Sequence, residues 1–243
     1  MNFNVIATGS RGNCLSLCKG PFNCLIDIGV PYNAIKHDPF RFVFLTHEHS
    51  DHLNLRTVAK VAKERPTTFW LCGLNLAGSL LSAGVDPKQI MLIPVEIDGE
   101  LSGGEFMVIH LMGQCMWALR VPLKHDVPNY GWKIYFDHDS KLHGPDFYVA
   151  PRSALKVFYA TDTADLNGIE AKDFDYYFIE ANYRKKGIME RIAEKRENGG
   201  FIYEDRVLRT HMSKETADKW LADNLGYDST YVYLHQHVDE RAE

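Results

Sequence analysis

Short apolar segments alternate with polar turns along the whole chain, and many of these segments have the composition of β-strands. They are rich in β-branched and aromatic residues and are bounded by Gly, Pro, Asn or Asp. The predicted strands are Phe3–Ala7, Leu15–Cys18, Asn23–Asp27, Arg41–Thr46, Thr68–Leu71, Phe106–Leu111, Trp117–Pro122, Trp132–Phe136, Lys156–Thr161, Tyr176–Glu180 and Thr230–Leu234. The early strands follow one another closely and the later ones are separated by helical segments, which predicts two sheets with helices outside them.

Two further segments have the pattern of helices. Leu53–Glu64 carries apolar residues at positions 55, 58, 59 and 62, which is the spacing of one helix face. In Ser213–Leu225 we place Ser213 as the N-cap, and Gly226 follows the end of the helix. Because no repeat, low-complexity segment or Pro/Ser-rich linker interrupts this order, we expect a single α/β domain over residues 1–243.

The composition is that of an ordinary globular protein. Hydrophobic residues make up 45% of the chain and charged residues 24%, which excludes a largely disordered or fibrous chain. The net charge of −5 argues against a general attraction for long nucleic acids. No apolar run reaches the roughly 18–20 residues that a membrane-spanning helix needs, and the first residues do not have the pattern of a secretory signal. We therefore expect a cytoplasmic protein without a membrane partner.

The segment FVFLTHEHSDHLN carries the strongest chemical signal. A predicted strand ends in a polar turn that contains His47, His49, Asp51 and His52, and a predicted helix follows at once. Neutral imidazole and carboxylate together suit Zn, Mn or Fe. In such a turn His47 and His49 can point to one side while Asp51 and His52 face the other. The spacing therefore predicts two adjacent metal half-sites.

Three residues at or near other strand ends are candidates for the remaining ligands. His125, between two predicted strands, is a candidate third ligand for the first metal ion. Asp162, at the end of the strand in FYATDTADL, is placed to bridge both ions, and His235, which ends TYVYLHQH, could complete the second. Open α/β sheets form their sites at the carboxyl ends of strands, so these positions support one another.

These residues carry a resemblance to a known family. THEHSDH resembles the signature of the metallo-β-lactamase fold superfamily, and Asp27 in LIDIG matches the buried aspartate that is expected there to orient the metal-binding turn. The finer resemblance is to the YycJ/WalJ-type nucleases, on the segments TGSRGNC, His125-Asp126…Tyr130-Gly131, ATDTA, EAN and THMSK. The resemblance implies an αβ/βα four-layer sandwich of two facing sheets with helices outside.

The chain also departs from that family pattern. Thr210 stands where the family has Gly, and Lys214 where it has Asn. The closing motif is LHQH, so either His235 or His237 could be the last ligand, and the register favours His235. Residues 187–203 look longer and more basic than the corresponding loop, and no β-CASP or zinc-arm insertion is evident. These departures bear on the substrate more than on the metal.

The function that these patterns predict is hydrolysis by two divalent ions, with zinc favoured and manganese as the alternative. A hydroxide that bridges the two ions, held in part by Asp51, would attack a nucleic-acid phosphodiester. His211 is the candidate proton donor or phosphate ligand. Ser213 and Arg209 are candidates for phosphate binding on the side from which substrate approaches, and Glu180 is expected to support the site through hydrogen bonds. The basic stretch from Arg184 to Arg196 is either a solvated helix face or a phosphate-contacting rim.

Other activities on the same scaffold stay open at this point. A small cyclic nucleotide or other small phosphodiester fits the acidic net charge of −5 and needs no extended basic groove. Ester or thioester hydrolysis would leave His211 and the basic stretch without a role. An iron enzyme usually has different ligands or an added flavin domain. A degenerate scaffold that only binds a partner is disfavoured because every expected ligand is present. The oligomeric state is not predicted.

Overall fold

Two β-sheets lie face to face in a computed structural model that describes residues 1–97, 100–102, 108–137 and 154–236. The first sheet has six strands in sequence order: β1 (Asn2–Ala7), β2 (Cys14–Lys19), β3 (Phe22–Ile26), β4 (Phe42–Phe44), β5 (Phe69–Cys72) and β6 (Ile90–Leu92). Strands β1 to β3 pair antiparallel, and β3 to β6 pair parallel.

The second sheet has eight strands from the rest of the chain. They are β7 (Val95–Ile97), β8 (Glu100–Ser102), β9 (Val108–Leu111), β10 (Gln114–Leu123), β11 (Asn129–Asp137), β12 (Leu155–Ala160), β13 (Tyr176–Glu180) and β14 (Thr230–Leu234). Their order is β14-β13-β12-β11-β10-β7-β8. Strand β9 pairs antiparallel with residues 114–117 of β10. Strands β10 to β12 pair antiparallel, whereas β12, β13 and β14 pair parallel.

Helices cover the outer faces of the sheets. They are α1 (Leu55–Glu64), α2 (Leu74–Ser82), α3 (Lys185–Glu197), α4 (Glu204–Thr210) and α5 (Lys214–Asn224), and Tyr32–Ala34 and Pro87–Gln89 form short 3-10 helices. Helix α1 begins after Asn54, whose side chain accepts a hydrogen bond from the amide of Thr57. Ser213 caps α5 in the same way by accepting from the amide of Thr216, which confirms its expected N-cap position. Within the described residues, no helix has both the length and the apolar character that crossing a bilayer requires.

Side chains that alternate along the strands build the core between the sheets. Phe44 of β4 packs edge to face against Trp132 of β11, with ring centroids 5.1 Å apart. On β12, Val157 and Tyr159 point into this inter-sheet core while Phe158 and Ala160 point to the other face, because successive strand residues face opposite sides. The large buried side chains between the sheets hold the two sheets in a fixed relation.

The outer layers are formed by the opposite strand faces and the helices. Val58 and Val61 of α1 pack with Trp70 on the first sheet, and Leu221 of α5 packs with Phe158 on the second. The helix–sheet–sheet–helix arrangement confirms the predicted αβ/βα sandwich.

The structure corrects several element predictions. The bounds of β13 and β14 agree with the sequence prediction, and the other predicted strands shift by a few residues. The prediction omitted β6, β7 and β8 and the helices α2, α3 and α4; most of the basic segment at 187–203 belongs to α3. Residues 106 and 107 of one predicted strand lie outside the described residues. On α1, the predicted apolar stripe is wrong at Leu55, which is 44% exposed.

The carboxyl ends of the parallel strands converge at one edge of the sandwich. Asp27 follows β3, the turn with His47 follows β4, Asp162 follows β12, and His235 follows β14. Glu180 is the last residue of β13. Candidate ligands from distant parts of the sequence therefore lie close together, because they follow the parallel strands of both sheets, β3 and β4 in the first and β12 to β14 in the second.

Candidate metal centre

The turn after β4 is buried against the turn after β3. His47 is 1% exposed and His52 is fully buried. The amide of Ile28 donates to the carbonyl of His52 at 2.8 Å. A Cβ atom on Gly29 would overlap the backbone oxygen of Asp51, so the glycine of the LIDIG motif is required for this close approach. The packing fixes the position of the histidine turn before any ligand binds.

Three imidazoles converge at the mouth of this turn, and we call His47, His49 and His125 the imidazole side. Nε2 of His47 lies 3.2 Å from Nδ1 of His49, which lies 3.3 Å from Nε2 of His125. Ligands at zinc–nitrogen distances of about 2.0–2.1 Å in tetrahedral geometry are about 3.3–3.4 Å apart. Both distances from Nδ1 of His49 thus match the spacing that one metal ion requires, all three nitrogens lie within 4.8 Å of one another, and the donor set fits such an ion.

Hydrogen bonds fix which nitrogen of each imidazole faces the centre. Nδ1 of His47 lies 3.0 Å from the hydroxyl of Thr46, and Nδ1 of His125 lies 3.3 Å from the carbonyl oxygen of Thr210. A carbonyl can only accept, so Nδ1 of His125 carries the proton and Nε2 keeps its lone pair. An oxygen partner on the far nitrogen is the usual way in which proteins orient histidine ligands.

A second group surrounds two buried carboxylates, and we call Asp162, Glu180, His211 and His235 the carboxylate side. Nδ1 of His235 is 2.8 Å from Oδ1 of Asp162 and 3.0 Å from Oε1 of Glu180. Nδ1 of His211 is 2.6 Å from Oε1 of Glu180 and 3.2 Å from Oδ1 of Asp162. Oε2 of Glu180 accepts from the amide of Thr163 at 2.9 Å. Both carboxylates therefore hold both histidines.

Asp162 joins the two sides. Its Oδ2 atom is buried and accepts no hydrogen bond from the described residues, although Nε2 of His52 lies against it and Nε2 of His47 is 3.9 Å away. A buried carboxylate oxygen without a hydrogen bond is costly, and a cation between these atoms would satisfy it. This oxygen is the second observation that fits a metal site.

Asp27 anchors the histidine turn from below. Its carboxylate lies 2.7 Å from Nδ1 of His52 and accepts from the amide of Thr46 at 2.9 Å and from the hydroxyl of Tyr159 at 3.3 Å. It is fully buried. The structure thus places Asp27 where the resemblance expected it, and the carboxylate orients Nε2 of His52 toward Asp162.

Three residues of the site have left-handed backbone conformations. The φ angles are 59° at Asp27, 53° at Asp162 and 54° at His235. Such conformations are uncommon for residues other than glycine, and strain of this kind concentrates at functional sites. The backbone turns sharply where each strand ends, and the turn directs these side chains into the same space.

The protonation tendencies of the two sides are opposite. Burial lowers the pKa of His47 to about 2, and burial also lowers the pKa of His125. On the carboxylate side, burial acts in the same direction, but Glu180 and Asp162 outweigh it and raise the pKa of His211 to about 10 and that of His235 to about 9. His47 and His125 are therefore held neutral, as ligand nitrogens must be, whereas the carboxylate side holds protons when no metal is bound.

The structure groups the predicted second-ion ligands differently from the expectation. His47, His52 and Asp162 form one group and Asp162, Glu180, His211 and His235 another, each with ligand atoms within 4.8 Å of one another. Asp51 is in neither group, and its Oδ2 lies 3.9 Å from Nε2 of His52. His237, the alternative last ligand, lies outside the described residues.

A cleft of about 900 Å³ opens over both sides. His49, Asp51, His125, Asp162, His211 and His235 all line it. Tyr203 and Arg206, at the start of α4, form part of its wall together with the Gly9–Gly12 turn. Of the residues that we expected to contact the substrate phosphate, His211 lines this cleft, but Ser213 and Arg209 do not.

Ser213 and Arg209 are placed elsewhere. Ser213 is 1% exposed, and its hydroxyl is engaged with the amide and the hydroxyl of Thr216. Nε of Arg209 donates to the carbonyl of Asp205 on its own helix. Neither residue is among the described residues that line the cleft. In this structure neither residue is therefore placed to contact a phosphate in the cleft, because capping takes the Ser213 hydroxyl and Nε of Arg209 is bound to its own helix.

Sequence reasoning also missed contacts that shape the site. Asp126 lies 3.1 Å from Nε2 of His125 and 3.6 Å from Nε2 of His49, and it forms an ion pair with Arg206 at 2.6 Å. Nδ2 of Asn13 is 2.8 Å from Nε2 of His52. Asp126 had one signal in the sequence, its place directly after His125; the contact of Asn13 depends on how the first sheet packs and had none.

Comparisons with known proteins agree with this geometry. A family whose description is "Beta-lactamase superfamily domain" matches residues 22–235. No curated protein matches the sequence significantly. Among solved structures, the metallo-beta-lactamase fold protein YhfI from Bacillus subtilis is similar with a TM-score of 0.61 at 13% identity, over 98% of this chain and 88% of that one.

Two ribonucleases share the fold as well. Human tRNase Z, short form, is similar with a TM-score of 0.63 at 12% identity, over 99% of this chain and 94% of that one. A long form RNase Z from yeast has a TM-score of 0.61 at 13% identity, over 97% of this chain but only 37% of the yeast protein. These likenesses concern the fold.

Proposed function

This chain belongs to the beta-lactamase superfamily, and from that premise we propose that it is a dinuclear-metal-dependent phosphodiesterase that cleaves nucleic acid. One observation carries the proposal: Nδ1 of His49 lies 3.2 Å from Nε2 of His47 and 3.3 Å from Nε2 of His125, beside a buried oxygen of Asp162 that accepts no hydrogen bond from the described residues. The order of the sequence motifs supports a place near the YycJ/WalJ-type nucleases. Two of the proteins with this fold are ribonucleases by name.

The residues divide between two ions. The imidazole side would hold the first, Asp162 would bridge, and His52, His235 and Asp51 would hold the second. Two divalent ions supply Lewis acidity toward the phosphate oxygens and activate water at neutral pH. Three imidazole nitrogens favour zinc, with manganese as the alternative.

In this proposal His211 gives a proton to the leaving oxygen. Its Nδ1 atom is bound by Glu180 at 2.6 Å, which leaves Nε2 as the nitrogen available to substrate, and the residue lines the cleft. Because Glu180 and Asp162 outweigh burial and raise its pKa to about 10, the imidazole is protonated at neutral pH. A protonated imidazole beside the reacting phosphate is suited to general acid catalysis.

Arg206 takes the phosphate-binding role that we had assigned to Arg209 and Ser213. It lines the cleft on α4, one turn from His211, and Asp126 holds its guanidinium at 2.6 Å. A guanidinium held by one carboxylate keeps further N–H groups for phosphate oxygens. Tyr203 on the same wall offers an aromatic face for a base.

A small phosphodiester is the second candidate substrate. The net charge of −5 favours a ligand that does not need an extended basic surface. The same metal ligands would serve this reaction. The two candidates differ only in what the surface beside the cleft binds.

A substrate panel tests the proposal. The purified chain, stripped with chelator and resupplied with Zn²⁺ or Mn²⁺, is assayed on bis-p-nitrophenyl phosphate, cyclic nucleotides, single- and double-stranded oligonucleotides, and a thioester. We expect metal-dependent hydrolysis of bis-p-nitrophenyl phosphate and of oligonucleotides, with two ions per chain by elemental analysis. Hydrolysis of the thioester alone, or a chain that binds no metal, would overturn the proposal.

A further inference from the structure

A second pocket opens directly beside the cleft. Its volume is about 510 Å³, and Ser10, Arg11, Ser50 and Asp51 line both cavities. Because the shared residues include Asp51, which borders the metal centre, the pocket is continuous with the place where a substrate would react. Its far wall is formed by the first residues of α1.

Two arginines reach this pocket from different elements. Arg11 comes from the turn between β1 and β2, and Arg56 comes from the first turn of α1. Both are exposed. In the described part of the chain, no hydrogen bond, ion pair or ring contact holds either guanidinium. Glu48 also lines the pocket, yet it forms no ion pair within 4.0 Å with either arginine.

The backbone at the far wall favours the same kind of ligand. Helix α1 has no acidic residue in its first turn, and the amides of Leu55 and Arg56 have no acceptor among the described residues. Unpaired amides at a helix start favour an anion. They add to the two guanidinium groups, which present planar N–H donors that match phosphate oxygens.

We infer that this pocket binds a second phosphate of a nucleic-acid strand, next to the one that reacts at the metal centre. The inference rests on the proposed function and makes its substrate class more specific. A cyclic nucleotide or other small diester has no neighbouring phosphate to place there. A strand that passes from the Arg206 wall across the metal centre would meet Arg11 and then Arg56. The pocket therefore selects polymeric substrates over small ones.

Binding without turnover gives the first test. In chelator, fluorescence anisotropy of a labelled oligothymidylate reports affinity for the full chain at several salt concentrations. Arg56→Ala should weaken binding roughly three- to tenfold and lower the salt slope by about 0.7, the value for one lost contact on a single strand. Arg56→Lys should recover part of the affinity, since lysine keeps the positive charge but lacks the planar N–H donors of the guanidinium.

Lys63→Ala is the matched control. It removes the same charge from the other end of α1, where Lys63 is exposed, about 10 Å along the helix axis from Arg56 at 1.5 Å per residue. We expect its affinity to match that of the wild type. An Arg56→Ala variant that binds no more weakly than Lys63→Ala would overturn the inference.

Turnover measurements distinguish a failure of this inference from a failure of the proposed function on which it rests. With metal, the ratio of kcat/KM on the oligonucleotide to kcat/KM on bis-p-nitrophenyl phosphate should fall roughly three- to tenfold in Arg56→Ala, and further in the double variant with Arg11→Ala. If wild-type protein hydrolyses neither substrate, the proposed function fails. If it hydrolyses both and the ratio does not change in either variant, only the second phosphate site fails.

Discussion

The imidazole side and the carboxylate side of the cleft use the same residue type under opposite conditions. On the imidazole side, burial lowers the pKa of His47 to about 2, and no carboxylate oxygen is closer than 3.1 Å to a nitrogen of the three rings. On the carboxylate side, Glu180 lies 2.6 Å from His211 and 3.0 Å from His235. Neighbouring charge, more than burial, decides which histidines keep a proton.

In the proposed function, this difference separates ligands that are neutral before an ion binds from histidines that carry a proton, which His235 would release to the second ion and His211 would deliver to the substrate. A histidine that is neutral over the whole physiological range can bind a cation at no cost in protons. A histidine that shares a buried carboxylate can hold a proton and deliver it. The two sides meet at Asp162, whose two oxygens face one side each. The comparison can be tested on either side separately.

The largest effect is expected from His49→Ala on the imidazole side. The variant removes one of the three nitrogens that would hold the first ion, so hydrolysis of bis-p-nitrophenyl phosphate should fall about 10³-fold or more. Elemental analysis should show fewer ions per chain. His49 is only half-buried, so the fold should persist.

His37→Ala is the control for that variant. His37 is exposed on the surface, so this variant removes an imidazole that does not line the cleft. Wild-type rates in His37→Ala together with wild-type rates in His49→Ala would show that the imidazole cluster holds no catalytic metal ion.

His211→Ala tests the carboxylate side and should have the next largest effect. Loss of the proton donor should lower kcat about 10²-fold while the metal content is retained. Glu180→Gln should keep the donor but remove the charge that raises its pKa, so the basic limb of the pH–rate profile should move to lower pH. A full complement of metal with unchanged kcat in His211→Ala would exclude the donor role.

The strands that carry the site could be predicted well from the sequence. Tyr176–Glu180 and Thr230–Leu234 are apolar runs with polar residues at both ends, and their bounds agree with the structure. The strands Ile90–Leu92 and Val95–Ile97 have three residues each, and such short elements exist only because neighbouring strands pair with them. Their local sequence therefore carries little signal.

For the candidate site, too, the local sequence predicts some features and not others. Asp162 and His235 could be predicted because the carboxyl ends of parallel strands meet at one edge. The position of Arg206 in the cleft, where Arg209 was expected, could not be predicted, because it depends on which face α4 turns toward Asp126, 80 residues away in sequence. Contacts between distant elements at the rim are set by packing, which no local pattern encodes.

The pH dependence of metal binding is the smallest and finest test of the comparison. In the metal-free protein, Asp162 and Glu180 outweigh burial and raise the pKa of His235 from its usual 6.5 to about 9. Its share of the free energy of unfolding is therefore fully present below about pH 6.5 and is lost as the pH rises through about 9. An ion bound by His235 must displace that proton, so His235 alone should make the apparent affinity for the second ion rise about tenfold per pH unit up to about pH 9. Against burial, Asp162 and Asp27 also raise the pKa of His52, so its proton should make the slope steeper.

The first ion should behave differently. Since burial lowers the pKa of His47 to about 2 and also lowers that of His125, these two ligands release no proton to an ion near neutral pH. The affinity for the first ion should therefore depend less on pH than the affinity for the second. Calorimetry in two buffers of different ionisation enthalpy counts the protons released at each step. As many protons released at the first step as at the second, or none at the second, would mean that the two sides do not differ in the way their contacts imply, and the proposed difference in protonation between the two sides would have to be abandoned.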